Sequence, residues 1–240
     1  MVTWFITGTS RGIGFELAKQ LAANAQNTVF ASCRSPATAK ALNELASSVP
    51  NKNVHVIALD VDDEPSVRSA VKSVEGILPA GAGIDYLINN AAFYEHHINF
   101  ETATPDSLEA HFKTHVSGSF RVFRAFLPLV QKSERKVVVT VSSEVGSMTH
   151  VDSEWNLGTL NPPYAIAKAG SNMLSKKIAV TYPDLISFAF SPGWIKTDLG
   201  GEAAPFDVGD CVPRHIKVYE GATKEHSGKF IDQFGKEIPW

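Results

Sequence analysis

The chain has 240 residues, 44% of them hydrophobic, and sets 22 Lys and Arg against 25 Asp and Glu for a net charge of −3. That length buries one core and is short for two domains, while the scattered charges and strand-sized apolar runs argue against a nucleic-acid surface or a membrane span, leaving small-molecule chemistry as the expectation. Cys33 and Cys211 form no C-x-x-C pair, and the chain opens straight into a strand without a signal-type segment, which fits the reducing cytoplasm.

Val2 to Ile6 reads as a strand, and Thr7-Gly8-Thr9-Ser10-Arg11-Gly12-Ile13-Gly14 separates it from the helical spacing Ile13, Leu17, Leu21. A strand, a glycine turn and a helix in that order make a phosphate-binding turn: glycine lets backbone approach a ligand, and free amides at the helix start favour an anion. Thr28 to Cys33 is the second strand, and Ser35-Pro36 opens a helix over Ala37 to Ser48. Val54 to Leu59 is the third, stopping at Asp60-Val61-Asp62-Asp63 before a helix from Ser66 to about Glu75. Ile84 to Ile88 runs into Asn89-Asn90-Ala91-Ala92, and Thr104-Pro105 caps a long helix reaching Leu127-Pro128. Lys136 to Ser143 is the fifth strand, Tyr164 to about Val180 a helix, and Leu185 to Phe190 the sixth strand, ending in Ser191-Pro192-Gly193-Trp194. A short helix near Val208 to Glu220 and a strand near Lys229 to Phe234 close the chain. Apolar strands alternating with helices predict an α/β fold: a doubly wound parallel sheet of Rossmann type, a single domain over residues 1–240, with helices on both faces. Residues 194–221 form a short lid region.

Each unusual polar cluster falls just after a strand: Gly8 to Gly14, Arg34, Asp60, Asn89-Asn90, Ser142-Ser143 and Pro192-Gly193. In such a sheet those strand ends share one edge, where ligands bind.

Tyr164 and Lys168 stand one helical turn apart on one face. A phenol of reference pKa about 10 needs a shift of about 3 units to ionise near neutrality, and a neighbouring cation supplies about 1–3, so Lys168 alone is marginal and an oxidised nicotinamide would add the rest. Together with the glycine turn and a serine at the preceding strand end, the pattern marks a catalytic site at this edge. At the end of the second strand an aspartate would repel a 2′-phosphate, but the text is Ser32-Cys33-Arg34, and Arg11 lies inside the glycine turn. Two arginines there predict NADP(H).

Read in order, these motifs resemble those of the short-chain dehydrogenase/reductase family: T-G-x-x-x-G-x-G, N-N-A-G with Ala92 in the last place, a serine at the fifth strand end, Y-x-x-x-K, and P-G. The tail from Ser227-Gly228 to Ile238-Pro239-Trp240 resembles the small fungal-type carbonyl reductases of the sniffer-like group. The family's serine precedes a glycine by three places, which selects Ser143 (then Glu144, Val145, Gly146), with Ser142 as the alternative register. The resemblance implies a cofactor held by Gly8, Ser10, Arg11, Gly12, Ile13, Gly14, Arg34, Asp60, Val61, Asn89, Ala91, Tyr164, Lys168, Pro192, Gly193, Ile195 and Thr197. Within that set Asp60 is placed at adenine, Asn89 beside the adenosine ribose and Thr197 near the nicotinamide amide.

The departure is His115. The family carries an asparagine in N-x-x-G on the long helix, whose backbone holds a water linking the lysine to solvent; here the text is Thr114-His115-Val116-Ser117-Gly118. Either the backbone alone has that role or the imidazole carries protons, so His115 joins Ser143, Tyr164 and Lys168 as a catalytic candidate. His111 and His115 have a zinc-compatible spacing without a third ligand, so no metal is expected. His96-His97 reads as pocket rim, and Phe93, Tyr94, Val145, Trp155 and Trp194 as pocket lining. The leading expectation is an NADPH-dependent carbonyl reductase acting reversibly on a small to medium ketone or aldehyde, as a homodimer or homotetramer. The competing expectations are an enzyme on this scaffold without net hydride transfer, such as a dehydratase, isomerase or cyclase, and a non-catalytic NADP(H)-binding sensor.

Overall fold

In the computed structural model, which describes residues 1–153 and 161–240, the chain enters as β1 (Val2–Thr7), passes the glycine turn and forms α1 (Gly12–Ala22). Then come β2 (Asn27–Cys33), α2 (Lys40–Ser48), β3 (Val54–Ala58), α3 (Glu64–Glu75) and β4 (Tyr86–Asn89). α4 (Pro105–Phe112), a π-helical turn (Lys113–Gly118) and α5 (Ser119–Lys132) lead to β5 (Val137–Val141), and α6 (Pro162–Thr181) precedes β6 (Ile186–Ser191). β7 (Ile195–Lys196) and β8 (Phe206–Asp207) pair with each other, and α7 (Val208–Glu220) and β9 (Phe230–Asp232) end the fold.

Seven strands make one parallel sheet ordered β3-β2-β1-β4-β5-β6-β9, the doubly wound Rossmann-type arrangement. From β1 the chain moves outward to β3 and then returns to the other side of β1 with β4. That reversal opens a crevice at the carboxyl ends of the central strands. Strand alternation divides the core: Trp4 and Ile6 pack with Leu17, Leu21, Leu42 and Val212 on one face, while Phe5 packs with Val67, Val74, Phe126 and Val130 on the other.

Local differences from the expected elements have identifiable causes. The helix after Ser35 is split into a 3₁₀ turn (Pro36–Thr38) and α2, and the Ser35 side chain caps nothing. α3 starts two residues early because Asp63 accepts from the Ser66 amide at 2.9 Å. α5 runs through Pro128 to Lys132 because Val122, Phe126, Leu129 and Val130 bury one continuous face, which outweighs the hydrogen bond the proline removes. The expected long helix is interrupted by the π turn, which holds His115.

Candidate active site

The glycine turn is fixed from the β4 side. Thr7 Oγ1 accepts from the amides of Asn90 and Ala91, each at 2.9 Å, and Asn90 Nδ2 donates to the Thr7 and Gly8 carbonyls at 2.8 and 3.2 Å. Gly8 has φ +71°, and a β-carbon there would stand 2.8 Å from Ala91 Cα, so only glycine admits this approach. α1 begins without a side-chain cap and without an acid in its first turn, leaving amides and the positive end of the helix dipole free for an anion. Asn89, at the end of β4, is buried with neither side-chain polar atom partnered among the described residues. A phosphate-bearing dinucleotide fits these features.

The Ser143 turn and α6 are held together by Gly146, where a β-carbon would lie 2.7 Å from the Lys168 carbonyl carbon. Asn172 Nδ2 also donates to the Gly146 carbonyl at 3.1 Å. α6 starts at Asn161, whose side-chain oxygen accepts from the Tyr164 amide at 3.0 Å and whose amide nitrogen donates to the Glu95 carbonyl at 2.5 Å. Its φ of 46° is left-handed, a conformation asparagine tolerates. As a result Tyr164, buried in α6, meets the Ser143 hydroxyl, while the Ser142 hydroxyl turns away and donates to the Lys168 carbonyl at 3.3 Å.

Burial, opposed by the hydrogen bond from Ser143, pushes the Tyr164 phenol above its ordinary value. Burial also lowers Lys168 to about 7, with its ammonium 5.4 Å from the Tyr164 ring centre and donating to the Val141 carbonyl at 2.8 Å. The expected depression of the phenol by Lys168 is therefore absent in the protein alone, because burial disfavours both charges at once.

These groups line one cavity of about 1640 Å³ at the carboxyl edge of the sheet. It exceeds the roughly 300–1,000 Å³ of a drug-sized pocket and has room for a dinucleotide and a substrate. Every site residue anticipated from the sequence lines it except Asn89, His97 and His115; Trp155 lies outside the described residues. Arg34 is exposed on its wall with no carboxylate within ion-pair distance among the described residues, whereas Arg11 Nη1 pairs with Asp198 Oδ2 at 3.2 Å across the mouth. His96 Nε2 contacts the Asp198 carbonyl at 3.2 Å, at the rim as expected.

His115 sits behind the cavity wall. Its Nε2 is 3.0 Å from the Phe93 carbonyl, its Nδ1 is buried without a partner among the described residues, and its ring packs edge-on to Tyr164 with centres 5.3 Å apart. A carbonyl only accepts, so Nε2 carries the proton. Burial first, then the Lys168 charge, lower its pKa well below 6.5. The His115 carbonyl, expected to hold a water, accepts from Ser171 Oγ at 3.2 Å. His111 is also buried, with Nδ1 2.9 Å from the Ser107 carbonyl and 3.4 Å from Glu95 Oε2. Among the described residues no group of three or more metal-binding side chains occurs, and no helix is long and apolar enough to cross a membrane.

Residues the sequence reading passed over include Asn161, signalled by Asn before Pro162-Pro163, and Gln233, which only the pairing of β9 with β6 brings to the site and which Arg214 of α7 holds there.

Residues 3–207 match the family model described as short chain dehydrogenase. An uncharacterized oxidoreductase of Schizosaccharomyces pombe is 33% identical, with 99% of this chain and 97% of that protein covered. A short-chain dehydrogenase/reductase of Arthrinium is likewise 33% identical, with 98% of each chain covered. Among solved structures, the NADPH-bound carbonyl reductase from chicken fatty liver superposes with a TM-score of 0.91 at 29% identity, covering 99% of this chain and 98% of that one. The carbonyl reductase Sniffer of D. melanogaster gives the same TM-score at 25% identity over the whole of both chains.

Proposed function

Because the chain belongs to the short chain dehydrogenase family of oxidoreductases, we propose that it is an NADPH-dependent carbonyl reductase, converting a small to medium ketone or aldehyde reversibly to the alcohol. The observation that carries this reading is a buried phenol held in its protonated form beside the Ser143 hydroxyl at the ligand edge of the sheet. Reduction of a carbonyl needs a proton donor, and a tyrosine whose pKa is raised arrives protonated.

Bound NADPH supplies the hydride that adds to the carbonyl carbon. Ser143 donates a hydrogen bond to the carbonyl oxygen, and Tyr164 gives that oxygen its phenolic proton as charge develops there. The phenolate left on Tyr164 is stabilised by Lys168, whose pKa of about 7 lets it exchange a proton near neutrality. The free amides of α1 hold the pyrophosphate, while Arg34 and Arg11 take the 2′-phosphate, Arg11 leaving Asp198 to do so. NADP(H) is further supported by the NADPH-bound chicken reductase.

Phe93, Tyr94, Val145 and Trp194 wall the substrate end, and the segment 194–221 serves as lid. Leu108, Phe112, Phe120, Ile166 and Met173, exposed on α4, α5 and α6, support a homodimer or homotetramer, which light scattering would read. Two free, buried cysteines agree with a cytoplasmic protein.

Following NADPH absorbance against a panel of ketones and aldehydes tests the reading. Carbonyl-dependent loss of absorbance supports it. Tight NADPH binding with no consumption across the panel favours a scaffold enzyme without net hydride transfer or a sensor.

A further inference from the structure

Gln233 directly follows β9, whose Asp232 pairs with Ser191 of β6, so Gln233 stands beside the Pro192-Gly193 turn on the ligand edge. Its side chain is buried at 4% exposure and faces the cavity. Arg214 of α7 grips its oxygen twice, from Nε at 3.2 Å and Nη2 at 3.0 Å. A guanidinium only donates, so the side-chain oxygen is turned to Arg214 and the NH₂ group to the opposite side. Arg214 is itself fixed between Phe206 and Phe234, whose ring centres lie 5.8 and 5.5 Å from its guanidinium carbon.

The NH₂ group points past Gly193: a β-carbon on Gly193 would lie 2.3 Å from Gln233 Nε2. Among the described residues this nitrogen donates to no protein acceptor, although the side chain lines the same cavity as Ser143 and Tyr164. A buried amide whose orientation is locked and whose donors face a ligand cavity is a recognition element for an oxygen. Phe206 and Phe234, which flank Arg214, and Trp194 line the same cavity and give it an apolar wall. Gln233 lies two strands from Ser143, about 10 Å across the sheet edge.

We propose that Gln233 determines substrate specificity: held by Arg214, its amide donates to a second acceptor oxygen several bonds from the reacting carbonyl, so the cavity selects aryl or extended ketones bearing an ester, a further carbonyl or an ether oxygen. The inference rests on the carbonyl reductase reading of the same cavity.

The test compares acetophenone with methyl 3-acetylbenzoate and methyl 4-acetylbenzoate as substrates for wild type, Gln233→Met and Gln233→Glu. The ratio of kcat/KM for ester over parent ketone should fall about 3- to 10-fold in both variants for at least one isomer, the size of one neutral hydrogen bond. Glutamate keeps the Arg214 contact but presents no donor when ionised, so it separates lost recognition from lost packing. A ratio unmoved in both variants overturns the proposal, as does an unmoved ratio accompanied by weaker NADPH binding, which would assign the amide to the cofactor. Ester affinity in the NADP⁺ complex, read by protein fluorescence, is measured alongside. There the same 3- to 10-fold loss is expected even if none of the ketones is turned over, a result that would sink the reductase reading and leave this one standing. No saturable ester binding to wild type overturns the inference.

Discussion

The ammonium of Lys168 lies 5.4 Å from the centre of the Tyr164 ring and donates to the Val141 carbonyl at 2.8 Å, so the two groups share one buried space without forming an ion pair. Burial raises the phenol, which is held protonated, and lowers the lysine to about 7, so that near neutrality it is divided between its charged and neutral forms. On the proposed carbonyl reductase reading, the Tyr164 hydroxyl is the proton donor. Tyr164→Phe keeps the ring and its packing, so the variant should fold and bind NADPH while losing about 10²–10⁴ in turnover. Single-turnover rates with cofactor affinity measured beside them check this; retained reductase activity rules out the assignment.

Lys168 also sets a pH dependence of stability. Its pKa falls from 10.5 unfolded to about 7 folded, so between those values the unfolded chain binds more protons than the folded one. Stability contributed at this site therefore rises with pH across that window. Urea midpoints should increase from neutral to mildly alkaline pH in wild type, and Lys168→Met should flatten that rise. A slope unchanged in Lys168→Met would show that the ammonium is not the group responsible.

The ligand edge was legible because strands, turns and helices each leave local marks: apolar runs, Gly8 and Gly12, and proline after a capping residue. The sequence prefers Ser143 over Ser142 only through the glycine three places on, and in the structure α6 backbone presses on the turn at that glycine. What stayed hidden depends on tertiary packing. The π turn at Lys113–Gly118 is a local widening that leaves no mark in composition, and Gln233 reaches the site through pairing of distant strands. The direction of the Tyr164 shift could not be read either, because burial outweighs the neighbouring lysine and burial is a property of the fold.

Gly146→Ala is expected to damage the site without touching a reacting group. The added methyl would meet the Lys168 carbonyl carbon at 2.7 Å, and backbone cannot yield as a flexible side chain does. The Ser143 turn and α6 must separate, at a cost of about 1–3 kcal/mol in stability and with a fall in kcat as Ser143 and Tyr164 lose register. Denaturant midpoints and kcat together read it; unchanged values in both would mean the turn has room to shift.

Arg34→Ala should weaken NADPH far more than NADH, since only NADPH carries the 2′-phosphate that a free guanidinium grips. Arg34 is the better probe than Arg11, which Asp198 already engages at 3.2 Å. Titrating both cofactors against wild type and variant decides it, and equal weakening would place Arg34 away from the phosphate.

His115 is where the chain leaves the pattern it otherwise follows, and the geometry makes it a positioning residue. The Nε2–H is committed to the Phe93 carbonyl at 3.0 Å, and burial with the Lys168 charge holds the pKa well below 6.5, so the imidazole is kept neutral with its one proton engaged by the loop rather than by a reacting group. Its hydrogen bond instead anchors the loop carrying Tyr94, whose ring packs edge-on to Tyr164 with centres 5.0 Å apart. His115→Ala should cost about 2–4 kcal/mol, from the cavity it leaves and the unpaired Phe93 carbonyl. It should also raise KM more than it lowers kcat, as the pocket wall loosens. The ionisation expected in kcat near neutrality belongs to Lys168, whose pKa is about 7, and should persist unchanged in His115→Ala. If His115→Ala abolishes it with cofactor affinity intact, the imidazole is a proton relay after all and the positioning account fails.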